Sequence, residues 1–137
     1  MRARLRPGGV WIEDGDLWWP VTVAHDGRRW RVCSVDDPIE AATGETVIPE
    51  GGIRSFPVAQ AEAAVARLAA RKGVAMRMAE EEGVRAYRFA RQRGWKPEAA
   101  ETFALRVLLT KYRLGHEEAA RLAARARELD QGREGRP

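Results

Sequence analysis

The apolar residues of this 137-residue chain change their spacing once, near Pro57. From residue 9 to that point they alternate between turn signals, and beyond it they recur every three or four residues. Period two belongs to strands and period 3.6 to helices, so the chain must build a sheet first and helices afterwards. That order specifies an α+β fold. The expectation is a curved, barrel-like antiparallel sheet of three to five strands within residues 1–57. A four-helix region over 58–130 and a disordered tail at 131–137 follow.

Within the sheet segment, Trp11, Trp18, Trp19 and Trp30 lie among turn signals. Asp14-Gly15 and Asp26-Gly27 read as two-residue hairpin loops. Under that register Trp11 faces Trp18, Val10 faces Trp19, Val21 faces Val32 and Val23 faces Trp30. One face then collects Val10, Ile12, Leu17, Trp19, Val21 and Trp30, together with Val23 and Val32, and is the expected core. Trp11 and Trp18 fall on the opposite face with Pro20, Thr22, Arg29 and Arg31, because strand neighbours point to opposite sides. Pro20 cannot donate to a ladder, so a bend is expected at Trp19-Pro20. The first half of that strand would pair with 10–13 and the second with 29–35. Thr46–Ile48 and Ile53–Phe56 read as one or two further short strands.

Helices are expected over 58–72, 74–93, 97–113 and 116–129, separated by Gly73, Gly94 and Gly115. Ala79, Gly83, Ala86 and Ala90 share one face of the second helix, which permits close packing on another helix. The third is apolar on more than one side and reads as central. The fourth offers Ala119, Leu122, Ala126 and Leu129.

Enzyme signatures are scarce. Nothing brings His25 and His116 together, and Cys33 has no base at strand or helical spacing. No Cys/His spacing suits zinc, and no glycine-rich loop precedes a helix. Asp36, Asp37 and Glu40 are explained by turn chemistry. The expectation is therefore a non-enzymatic binding protein with no catalytic residue, no cofactor and no metal. No apolar run approaches the roughly 20 residues of a membrane span. A secretory leader is not apparent and there is one cysteine, which suits the cytoplasm and no membrane partner.

Charge points to a partner. The net charge is +4, and 21 of the 24 basic residues are arginine. Residues 1–57 carry a net −2 and residues 58–137 a net +6. A basic chain favours polyanions. Two groups of residues fit nucleic acid. Trp11, Trp18, Arg29 and Arg31 interleave rings with guanidinium groups, as base stacking and phosphate contact require. Arg77, Arg88 and Arg91 form a stripe on the second helix, with Arg85 beside it, and no acid lies between Gly83 and Pro97. Glu80, Glu81 and Glu82 offer that stripe i,i+4 partners instead. The expected function is a DNA- or RNA-binding accessory or regulatory protein. The alternative is a protein-interaction module, an adaptor or inhibitor that docks on a larger machine through tryptophan hot spots.

Two segments resemble known families. Residues 105–123, LRVLLTKYRLGHEEAARLA, are similar to the opening of a sigma-factor-type helix-turn-helix. There Leu-Ala precedes a turn and a recognition helix, whereas here Arg-Ala-Arg-Glu-Leu continues the same helix, so the DNA-reading role does not carry over. Residues 9–72 resemble the arm-binding domain of tyrosine recombinases: a strand meander with central Trp and Arg, then Phe-Pro-x-x-x-Ala-x-x-Ala into a helix. That resemblance implies a sheet that contacts DNA, with no recombinase catalytic domain following.

Overall fold

The computed structural model describes residues 1–134. An antiparallel sheet that does not close is followed by four helices, an α+β fold. The chain divides into two compact units, Met1–Met78 and Ala79–Pro137, with the division inside the second helix.

The sheet holds β1 (Arg2–Arg6), β2 (Gly9–Asp14), β3 (Leu17–His25) and β4 (Trp30–Val35) in that spatial order, and β5 (Ile39–Glu40) pairs with the start of β3. β1 lies ahead of the segment that reads as β. Pro7-Gly8 is its loop to β2, closed by the pair Arg6 and Gly9, with Gly8 at φ 99°. Both expected hairpin registers are displaced by two residues next to their loops, and beyond a bulge in β4 the second is displaced by three. The β2–β3 loop is Gly15-Asp16, closed by Asp14 and Leu17, so Ile12 rather than Val10 faces Trp19. Gly15 has φ 59° and no non-glycine residue has a positive φ. A glycine-first loop meets that demand, whereas Asp14-Gly15 would force the aspartate into the left-handed region. The β3–β4 loop takes four residues, 26–29, and leaves Val23 opposite Val32 and His25 opposite Trp30. A displacement of two preserves the side-chain period, so the face assignments survive the wrong register.

Pro20 sits inside β3 opposite Trp11, and its carbonyl accepts the Asp36 N–H at 2.9 Å. Within a strand N and C=O of one residue point the same way. The missing donor therefore faces the gap where β4 ends and β5 has yet to begin. As expected, the first half of β3 pairs with β2 and the second with β4. The register steps between Thr22 and Val23, leaving Cys33 as the extra, exposed residue of a bulge. The two further expected strands do not form. Thr46 makes a single bridge to Ile39, and Ile53–Ser55 is a 3-10 turn. Gly51 and Gly52, at φ 83° and 70°, break the extended run before it.

In the first unit, α1 (Val58–Ala69) buries Ala61, Ala64, Val65 and Leu68. The core also holds Val10, Ile12, Trp19, Val21 and Phe56, and the Trp19 and Phe56 rings lie 4.9 Å apart. The Trp19 Nε1 is buried with no hydrogen-bond partner among the described residues. α1 lies against both outer strands, β1 and β4. There the Glu62 carboxylate accepts the edge N–H of Val32 at 2.8 Å and pairs with Arg31 Nε at 3.0 Å.

In the second unit, the remainder of α2 (Val74–Gln92) is followed by α3 (Pro97–Lys111) and α4 (His116–Glu134). Ala79, Ala86 and Ala90 are buried as their spacing requires, and a side chain on Gly83 would meet Leu108 at 3.3 Å. Ala100, Ala104 and Leu108 make one fully buried line on α3, flanked by half-buried Phe103, Leu105 and Val107. On α4 Ala119, Leu122, Ala123 and Ala126 are buried, while Leu129 is exposed because the buried line continues four residues on, at half-buried Asp130. Residues 131–134 of the segment read as a disordered tail continue α4, and 135–137 lie outside the described residues. α4 runs unbroken from His116 to Glu134, without the turn that would separate a recognition helix within it.

Candidate nucleic-acid interface

β1 reads Arg-Ala-Arg-Leu-Arg, so Arg2, Arg4 and Arg6 share one face and Ala3 and Leu5 the other. Register places the arginine face beside Trp11 and Trp18. The Arg6 guanidinium lies 4.6 Å from the Trp18 centroid and 5.4 Å from that of Trp11, and Arg4 lies 5.9 Å from Trp18. Arg4 also pairs with Glu13 across the β1–β2 hairpin at 2.6 Å. Both rings are half-buried under these cations.

Along β1 the first unit is hollowed by a cleft of about 370 Å³. Arg2, Arg4 and Arg6 of β1 line it together with Arg71, Arg77 and Trp18. No acidic side chain lines the cleft. Arg2, Arg71 and Arg77 make no ion pair among the described residues. Like charges gathered in a recess repel one another, and nothing in the unit neutralises these three. A second hollow, of about 210 Å³, shares Arg2 and Arg71 and adds Arg67.

The residues singled out from sequence are distributed differently. Trp11 and Trp18 do lie on the face opposite the core, beside arginines from β1 rather than Arg29 and Arg31. Arg29 is exposed in the loop at the far end of β3, about 25 Å along the strand from Trp18 by strand rise. Arg31 is held by Glu62. In the second unit Arg88 Nε lies 4.0 Å from Asp130 Oδ1, and Arg91 donates to the Trp95 carbonyl at 2.9 Å. Arg85, half-buried, also has a partner. Arg77, in line with that stripe, is the member that reaches the cleft.

Two features escaped the sequence reading. The arginines of β1 sit in a half of the chain with net negative charge, and the acids that produce it lie mostly in turns away from the cleft. Alternation in Arg2–Arg6 was the available signal. The second feature is Trp95, the fifth tryptophan. It is 45% exposed and Phe89 is 46% exposed; both pack on Phe103, at 5.4 and 5.9 Å. Arg93 covers the Phe89 ring at 4.2 Å.

Several other cations of the second unit are paired, whereas Lys96, Arg106 and Arg113 make no ion pair among the described residues. Lys111 meets buried Glu82 at 2.8 Å, Arg125 meets Glu80 at 2.7 Å, and Arg127 meets Glu98 and Glu101. The hydrogen bond and charge of Glu80 raise the Arg125 pKa above its ordinary value. Backbone N–H groups of Arg29 and Arg28 hold the Asp26 carboxyl below the usual range, and Glu98 is lowered first by its own backbone N–H and then by Arg127. Among the described residues no three His, Cys, Asp or Glu side chains could hold a metal ion, and no helix is long and apolar enough to cross a membrane. No protein-family model, curated protein or solved structure matches the chain.

Proposed function

We propose that this protein is a non-enzymatic nucleic-acid-binding factor that holds the phosphate backbone in the β1 cleft. One observation carries the reading: three arginines without ion-pair partners share an acid-free recess with a tryptophan. Arg31, by contrast, is held by Glu62. Unneutralised cations with a ring beside them are what a polyanion bearing aromatic bases requires. The test is binding of a labelled oligonucleotide across a salt series. The affinity should fall steeply with salt, and Arg71→Ala with Arg77→Ala should reduce the log–log slope by roughly 1.4 to 1.8, two phosphate contacts. Binding that ignores salt, or a double variant with an unchanged slope, refutes the proposal.

The exposed Phe89–Phe103–Trp95 cluster favours a second reading, a protein-interaction module. Trp and Arg are the residue types that dominate interface energies. Arg93 and Lys96 beside the cluster suit a partner segment with acidic and apolar side chains. A host protein that survives nuclease treatment and is lost with Trp95→Ala would establish this role.

A further inference from the structure

We infer that the β1 cleft takes a single strand, not a duplex; the inference rests on the nucleic-acid reading above and names its substrate class. Arg2, Arg4 and Arg6 recur every second residue along β1. Strand rise puts them about 6.6–6.8 Å apart, an interval comparable with that of successive phosphates on an extended single strand. Arg71 and Arg77 line the same cleft, so the ligand backbone meets cations from β1 and from the chain around the start of α2.

The recess continues past one phosphate. The smaller hollow shares Arg2 and Arg71 with the cleft and carries Arg67 onward, so the basic track is longer than a mononucleotide needs. Duplex readers push a helix or β-ribbon into a major groove about 12 Å wide. Here the cations instead line recesses of about 370 and 210 Å³, concave surfaces that receive a ligand rather than a projecting element that enters a groove.

Trp18 supplies the remaining discrimination. Its ring and the Arg6 guanidinium make a layered surface at the border of the cleft. Bases stack on aromatic rings and on guanidinium planes, and only an unpaired base can splay out to do so. The sheet edge adds backbone polar groups. The pair Arg6–Gly9 closes a two-residue loop, so by alternation the N–H and C=O groups of Ala3 and Leu5 point out of the sheet edge, and both residues line the cleft.

The experiment is fluorescence anisotropy with the full chain. Its probes are a short mixed-sequence DNA strand, the RNA strand of the same sequence, the matching DNA duplex, and polyglutamate as competitor. Single strands of one or both sugars should bind at least roughly tenfold more tightly than the duplex. Trp18→Ala should weaken single-strand binding by roughly five- to 150-fold, the range of one base–aromatic stack, and leave duplex binding unchanged. Trp18→Phe, which keeps a ring, should retain most of the affinity. Arg71→Glu with Arg77→Glu should abolish binding while circular dichroism remains that of the parent. Duplex binding as tight as single-strand binding overturns this inference and leaves the nucleic-acid reading standing. No binding to any oligonucleotide, or displacement by polyglutamate at equal charge concentration, overturns both.

Discussion

Arg88, Arg125 and Arg127 in the second unit each lie against an acid, whereas Arg2, Arg71 and Arg77 in the first do not. Residue type and helical spacing do not separate the groups, since Arg77 and Arg88 share α2 and one sequence stripe. What separates them is the acid brought within reach. A paired arginine on a half-buried helix face ties elements together. An unpaired one in a recess leaves repulsion that a bound anion relieves, so the ligand should stabilise the first unit in proportion to its binding.

The comparison breaks most readily at its buried pair. Lys111→Met leaves the Glu82 carboxylate, 8% exposed, without its partner. Urea denaturation should show a loss of about 3 kcal/mol, with oligonucleotide affinity unchanged for the folded fraction. A cost below about 0.5 kcal/mol would mean that pairing in the second unit is incidental. Next in size is Glu62→Ala, which strands the Val32 edge N–H and frees Arg31. Its expected cost is about 2 kcal/mol. If Arg31 freed in this way raises affinity as much as a cleft arginine supports it, position in the cleft is not what matters.

Smaller still is the effect on stability of Arg71→Ala with Arg77→Ala, expected to stay within about 0.5 kcal/mol of the parent because both residues are exposed and unpaired. Stability falling by more than about 1 kcal/mol would make these arginines structural, like those of the second unit.

The finest distinction is in acid. Folding favours the charged form of Asp26, so its contribution is complete above the ordinary value of 3.8 and is lost as pH falls through the lowered one. Asp26→Asn should flatten stability over that acid range. In NMR titrations added salt should leave most of both shifts in place, because a backbone N–H is the largest cause at Asp26 and at Glu98, and the charges of Arg31, Arg29 and Arg127 come after it.

Much of the fold was legible because faces depend on parity alone. Trp19 and Trp30 are buried and Trp11 and Trp18 lie opposite them, even though both hairpins close two residues away from the expected register. Helix positions followed from glycine stops and period. β1 was not legible, since its inner face offers only Ala3 and Leu5 and its outer face is wholly arginine. The cleft was hidden as well, because its cations come from segments some 65 residues apart, Arg2–Arg6 in the half of net charge −2 and Arg71 and Arg77 in the half of net charge +6.

By itself the sequence determined a sheet-then-helix chain, the side of the sheet each tryptophan occupies, and the small-residue face of α2. Those follow from local periodicity, which a side chain carries wherever its strand or helix ends up. Tertiary structure alone decided which arginines meet acids and which are left together in a recess. Charge neutralisation depends on distances of about 4 Å between residues far apart in the chain, and no pattern in neighbouring residues encodes them.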